Sequence, residues 1–359
     1  MPSPGDALTA AIAAAGGAIA FDQFMDLALY GPEGFYTSGG TAGRRGDFIT
    51  SPEVGPLFGT VLARAVAAEW EAQGCPSGFT VVEVGAGPGT LARSLRPALA
   101  ALAQRESGDL RYVAVELAEG QRSRHPAGVE STAELPEVIE AGVVIANELL
   151  DNLPFRLAVF DGAWREAFVT MGSDGRCAEI LGAPIDPLPE SLPERAAHGA
   201  RAPLQDRAHH WVASARAALK RGRVIAIDYC TPRTAELALL AWRSWLRTYR
   251  AHERGQHYLG APGSQDITAQ VCVDQLPEPD EVRSQAQFLS RWGIDELVDE
   301  GRRAWEAAAA RPDLAAITMR SRVTERDALM DPTGLGDFTV LEWRVGSASA
   351  SCGIVHREG

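Results

Sequence analysis

Lysine is all but missing from this 359-residue chain: Lys220 stands alone, and arginine carries the rest of the positive charge. With alanine abundant, that scarcity reads as a coding bias and not as a mechanism. Positive charge is also short overall, 34 Lys and Arg against 47 Asp and Glu, a formal net charge of −13. Broad nucleic-acid binding needs clustered positive charge to displace counter-ions, so no nucleic-acid partner is expected, whereas a cationic substrate would suit the balance. Cysteine is sparse. Cys75, Cys177, Cys230, Cys272 and Cys352 are far apart and odd in number. They form no CxxC pair and no Cys/His cluster with zinc spacing, which predicts reduced thiols and no metal. His209 and His210 are adjacent and would point to different faces of a helix. The N-terminal stretch lacks basic residues up to Arg44. Residues 10–20 are mostly Ala and Gly, too few for a membrane span and without the arginines of a transit peptide. The expectation is a cytoplasmic protein with no membrane segment.

What the chain does have is apolar content, 46% of residues, enough for one large domain or two modest ones. Its most informative stretch is Val81-Val82-Glu83-Val84-Gly85-Ala86-Gly87-Pro88-Gly89-Thr90. A strand-like apolar run ends in a glycine loop, and a helical segment follows at once. In an open α/β sheet a ligand binds at the carboxyl end of such a strand, where glycine lets backbone approach it closely. A dinucleotide fingerprint would place Gly or Ala at position 90. Thr90 breaks it, and the shorter GxGxG pattern points to S-adenosylmethionine (SAM) instead. Leu110 to Glu116 reads as a second strand ending in an acid, so Glu116 is the candidate to hold the ribose hydroxyls. It lies further along than the rule's spacing, which a longer helix or loop would explain.

Further strands are expected at 143–146, 156–160, 166–171 and 223–229. The 156–160 and 166–171 pair forms a hairpin around Asp161-Gly162. Helices are expected over 6–29 (two short ones), 60–73, where Leu62, Val66 and Trp70 recur at about four-residue steps, and 209–220. Residues 173–200, rich in Pro, Gly and Asp, read as a surface excursion. Closing strands are expected at 338–345 and 352–356. The fold class is therefore α/β: a SAM-binding core over 79–233, an N-terminal helical extension over 1–78 with a long Gly/Pro-rich loop, a helical insertion over 234–330, and C-terminal strands over 331–359 completing the sheet.

The polar group Asn147-Glu148 with Asp151 directly follows the strand at 143–146, beside the cofactor's reactive end in such a sheet. Helix capping by Asn147, with acids in the first turn, explains the same pattern. Glu53 follows Ser51-Pro52, where Ser51 as N-cap and Pro52 at the first helical position is the competing account. Asp228 ends its strand, and His252 and Asp266 lie late in the chain.

Together these motifs resemble the MidA family of SAM-dependent methyltransferases. The resemblance rests on Tyr30-Gly31-Pro32-Glu33-Gly34-Phe35-Tyr36, on residues 46–53 (GDFITSPE) with Phe58-Gly59, on the glycine loop, on Asn147 to Asp151 with Leu153-Pro154, on Asp228-Tyr229, and on Asp266-Ile267-Thr268 with Val273-Asp274. The chain departs from the family at Cys230, where glycine is usual. The resemblance implies a class I, Rossmann-like core with a seven-stranded, mostly parallel sheet, and SAM as methyl donor. It also implies methylation of a protein arginine, the family target being the 49-kDa-type subunit of NADH dehydrogenase.

On this basis Glu83, Gly85, Gly87, Gly89, Glu116 and Asn147 are expected to bind SAM. Glu53, Asn147, Glu148, Asp228 and His252 are expected at the acceptor. Carboxylates would pair with two guanidinium nitrogens and leave the third free. Two other readings stay open: a small-molecule O- or N-methyltransferase with His252 as general base, and a SAM-binding assembly factor without catalysis. A homodimer, with contacts from the 234–330 region, is also expected.

Overall fold

The structure is a computed structural model and describes residues 4–37, 50–103, 110–250, 253–255, 257–311 and 313–346. Its central sheet has seven strands, numbered here along the chain: β1 (Phe79–Val84), β2 (Leu110–Val115), β3 (Glu130–Thr132), β4 (Gly142–Asn147), β5 (Gly222–Asp228), β6 (Glu281–Ser284) and β7 (Thr339–Val345). Their order is β6-β7-β5-β4-β1-β2-β3. Neighbours from β3 to β5 are parallel, and β7 runs antiparallel to both β5 and β6.

The central strands are buried on both faces, which is why they read as continuous Val/Ile/Ala runs without alternation. Val81, Tyr112, Val143, Ile145, Ile225 and Ile227 pack toward one layer of helices. Val82, Val84, Val113, Val144 and Ala226 pack toward the other. On the first face lie α4 (Pro56–Ala72), α5 (Thr90–Ala103), α7 (Gln285–Arg291), α8 (Ile294–Ala308) and α9 (Leu314–Leu329); α6 (Asp206–Ala218) covers the second. At Gly59 a Cβ would come within 2.1 Å of Ser94 Oγ and 2.8 Å of Leu95 N, so glycine sets the closeness of α4 to α5.

A second, five-stranded sheet carries the N-terminal extension. It joins Ala18–Ala20, Arg156–Phe160, Trp164–Met171, Cys177–Pro184 and Arg201–Leu204. Helices α1 (Pro4–Ala14) and α2 (Phe21–Tyr30) pack on it through Leu8, Phe21, Phe24 and Met25, against Phe155, Leu157 and Val159.

Two regions differ from the sequence expectation. The span 234–330 has long helices only from Gln285 onward; before that it holds single helical turns at Thr234–Leu237, Trp242–Ser244 and Val273–Gln275. Its first half is short strands, with Leu246–Arg250 paired to Glu253–Arg254 and Asp266–Ala269, and β6 inside it is an edge strand of the central sheet. Residues 173–200 contain the strand Cys177–Pro184, whose partner is Trp164–Met171. In both cases short strands gain stability from the strands they pair with, so local composition misleads. The expected strand at 352–356 lies outside the described residues. Among the described residues no helix is long and apolar enough to cross a membrane.

Candidate active site

Register brings the predicted residues to one sheet edge. Val84 pairs with Val115 on one side and Ala146 on the other, so Gly85, Glu116 and Asn147 lie abreast just beyond. Asn147 in turn pairs with Ile227, placing Glu148 beside Asp228. Above this edge is a cavity of about 800 Å³ lined by Glu53, Glu83, Gly85, Gly87, Glu116, Asn147 and Glu148 among others. Gly89 adjoins it, with His125 and Pro126 close by.

The glycine loop requires glycine for its backbone: φ is +70° at Gly85, +52° at Gly87 and +78° at Gly89. A Cβ at Gly85 would also stand 3.0 Å from Leu149 Cδ1, whereas one at Gly87 would meet nothing within 4 Å. Glu116 closes over the loop. One carboxylate oxygen accepts from Gly87 N and the other from Ala118 N, each at 2.9 Å. Glu83 is buried and accepts from the Tyr112 hydroxyl at 2.7 Å, and burial raises its pKa to about 7. His125 Nε2 lies 2.9 Å from Gly87 O, and its Nδ1 lies 2.9 Å from Ser131 Oγ.

Glu53 and Glu148 approach from different elements. Glu53 sits on the four-residue helix α3 (Ser51–Val54) and accepts from Thr90 Oγ1 at 2.7 Å. Ser51 is not the N-cap expected from the sequence; Thr50 is. The Ser51 hydroxyl is buried and donates to Gln285 Oε1 at 2.9 Å. Glu148 adopts φ +52°, uncommon for a residue with a Cβ, and its N–H donates to Ile227 O at 2.8 Å. Its carboxylate accepts from Asn147 Nδ2 at 3.1 Å and from the Ser51 backbone N–H. Burial, then the nearby Asp151, raises its pKa to about 8. Asn147 does not cap a helix: a 3-10 turn at Leu150–Asn152 follows it, and its Oδ1 is buried with no partner.

Asp228 is not among the cavity's lining residues. Its Oδ2 accepts from Leu150 N at 2.9 Å and Asp151 N at 3.3 Å, and its Oδ1 accepts from Tyr229 N at 2.9 Å. The carboxylate is thus spent on backbone and ties the loop after β4 to the end of β5. Burial and the neighbouring Asp151 and Glu148 push its pKa up. His252 lies outside the described residues. Asp266 is buried and accepts from Tyr36 Oη and Asn152 Nδ2, each at 3.1 Å; burial raises its pKa to about 7.

Sequence reasoning did not single out Tyr30, Tyr36, Asn152, His125, Arg207 or Trp211. Tyr30 and Tyr36 stack at 5.6 Å and line the cavity; Tyr30 Oη donates to Asn152 O, and Tyr36 Oη lies 3.0 Å from Asn152 Oδ1. They lay inside a block quoted for its resemblance, where no chemical role stood out. His125 belongs to no recognisable spacing.

SAM fits this site on two observations: the open space over Gly87 and the unpartnered Asn147 Oδ1, awaiting a donor such as the ammonium of the methionine end. A mostly parallel sheet with one antiparallel strand next to its edge, with a glycine loop and a strand-end acid at its carboxyl edge, defines a class I SAM-dependent methyltransferase.

Comparison with known proteins narrows the class. A family model described as an S-adenosyl-L-methionine-dependent methyltransferase matches residues 61–289. A COG1565 superfamily member from Burkholderia thailandensis, bound to S-adenosyl-homocysteine, is similar with a TM-score of 0.81 and 30% identity, over 97% of this chain and 93% of that one. A native structure of a COG1565 protein from the same organism gives a TM-score of 0.77 and 29% identity, over 97% and 92%. The fruit-fly protein arginine methyltransferase NDUFAF7 homolog, mitochondrial, is 31% identical over 192 residues, which is 45% of this chain and 44% of that protein. Rat NDUFAF7 is 41% identical over 76 residues, 21% of this chain and 17% of its own. The match thus spans less than half the length of these curated relatives. The chain belongs to the MidA family of SAM-dependent methyltransferases.

Proposed function

We propose that the methyl acceptor is an arginine side chain of a protein. The observation that carries this reading is the meeting of Glu53 and Glu148 on one cavity at the end of the glycine loop. A guanidinium stays charged at any physiological pH, and two carboxylates on different elements would grip two of its nitrogens while leaving the third to react. The printed names of the fly and rat relatives support the same acceptor class.

SAM supplies a methyl group on a sulfonium, whose in-line transfer to nitrogen depends mainly on positioning. Gly85, Gly87, Glu116 and Asn147 hold the donor. Glu53 and Glu148 orient the acceptor, and Tyr30 and Tyr36 wall the cavity on the side of Asn152. The acceptor nitrogen gives up a proton as its new bond forms. Burial holds the free Glu148 carboxyl protonated near neutral pH, its pKa raised to about 8; a bound guanidinium would lower it again and leave a carboxylate able to receive the proton.

The test is transfer from tritiated SAM in a host-cell lysate, separated into protein and small-molecule fractions, using the wild type and Glu148→Gln. The 49-kDa-type NADH dehydrogenase subunit is the first acceptor to try, on the family resemblance. Label on a protein arginine, lost in Glu148→Gln with SAM affinity retained, is the expected result. Label confined to small molecules would overturn the acceptor, and full turnover by Glu148→Gln would overturn its role.

A further inference from the structure

Thr90 is the residue that breaks the dinucleotide fingerprint, and in the structure its hydroxyl is committed to a carboxylate. Thr90 Oγ1 donates to Glu53 Oε1 at 2.7 Å in a partly buried setting. Thr90 opens α5 directly after Gly89, so its position is fixed by the cofactor loop. Glu53 belongs to α3, a helix too short to hold its own geometry.

That helix is braced from outside on every side. Ser51 Oγ donates to Gln285 Oε1, and Gln285 Nε2 donates to Leu329 O at 3.2 Å. Just beyond α3, a Cβ at Gly55 would stand 2.2 Å from the Glu325 carboxylate carbon, and Glu325 Oε2 accepts from Leu57 N at 2.8 Å. The Ser51 N–H meanwhile donates to Glu148. One short helix therefore touches both candidate acceptor carboxylates, and Thr90 is its hydrogen bond to the glycine-loop side.

We propose that Thr90 is a positioning residue for methyl transfer: its hydroxyl fixes the Glu53 carboxylate, so that the loop holding the donor also sets the group that receives the acceptor. The inference rests on the reading of Glu53 as an acceptor ligand. A valine at position 90 keeps the shape of threonine and removes the donor; serine keeps the donor. The one hydroxyl proton of Thr90 is committed to Glu53, so the proposal assigns it no donor bond to SAM.

The experiment measures transfer from tritiated SAM into proteins of a host-cell lysate, with SAM affinity by calorimetry, for the wild type, Thr90→Val, Thr90→Ser, Glu53→Gln and the Thr90→Val/Glu53→Gln pair. Expected are a loss of about 10- to 100-fold in rate for Thr90→Val, on the order of one neutral-to-charged hydrogen bond, with SAM affinity within about twofold of wild type. Thr90→Ser should recover most of the rate. The double variant should be no slower than Glu53→Gln alone, since the two residues would act as one unit. Equal loss in Thr90→Val and Thr90→Ser, an additive double variant, or a matching fall in SAM affinity would overturn the proposal. If Glu53→Gln itself transfers normally, the acceptor reading of Glu53 fails and the proposal falls with it. If Glu53→Gln is inactive while Thr90→Val is not, the proposal fails alone.

Discussion

Asp228 Oδ2 accepts the backbone N–H of Leu150 at 2.9 Å, joining the end of β5 to the 3-10 turn after β4, 78 residues away in sequence. That bond, with those from Asp151 N and Tyr229 N, turns an expected substrate ligand into the anchor of the loop that carries Glu148. Asp228→Asn would set an amide NH2 against a cluster of N–H donors. Leaving one buried donor unpaired costs about 1–3 kcal/mol. The variant should unfold at lower denaturant concentration by that amount and lose transfer, while SAM affinity changes little.

Gly85→Ala should act on the donor side. The added Cβ meets Leu149 and sits at φ +70°, a conformation costing an L-residue about 1–2 kcal/mol. Calorimetry should show SAM affinity falling by about tenfold or more, the size of that penalty. Unchanged affinity would mean the loop does not form the floor of the donor site.

The pH response follows from burial. Glu148, Glu83 and Asp266 all titrate higher in the folded chain than their ordinary values of 4.5, 4.5 and 3.8, at about 8, 7 and 7. The folded state thus holds protons that the unfolded chain has released. Stability present below about pH 4 to 4.5 should be lost progressively as pH rises, and the loss should level off above about pH 8. Denaturation of the ligand-free protein at pH 5.5 and 8 should show the higher stability at 5.5, and Glu148→Gln should flatten that difference.

Glu342 offers a test of the fold away from the cavity. It is 1% exposed and accepts from Arg223 NH1 and Arg283 NH1, each at 2.9 Å. Arg223 reaches on to Glu69 of α4. Removing one partner from a buried pair costs about 3–5 kcal/mol because the charges left behind stay buried. Glu342→Ala should lower the unfolding free energy by that order and loosen edge strand β6, which hydrogen exchange would register at residues 281–284.

How much of this was legible in the sequence depends on distance along the chain. The glycine loop, Glu116 and Asn147-Glu148 were readable because each stands at the end of an apolar strand, and strand ends in a parallel sheet share one edge. Glu53 was readable only through its resemblance block, since its partner Thr90 is 37 residues away. The backbone bonds of Asp228 are not legible in the sequence, because a strand-end aspartate looks the same whether it faces ligand or backbone. The strand Cys177–Pro184 was hidden by composition. Ser51 does not serve as the N-cap because Gln285, 234 positions on, claims its hydroxyl.

The same bracing of α3 bears on how the protein is made. Synthesis runs from the N-terminus, and segments can fold as they emerge. Every described lining residue of the cavity has left the ribosome once Trp211 is out. Gln285, Leu329 and Glu325, which hold the Ser51–Gly55 segment in place, arrive much later. A nascent chain stalled before Gln285 should therefore carry the donor loop without a settled Glu53, and acquire its acceptor geometry only when the last third of the polypeptide docks.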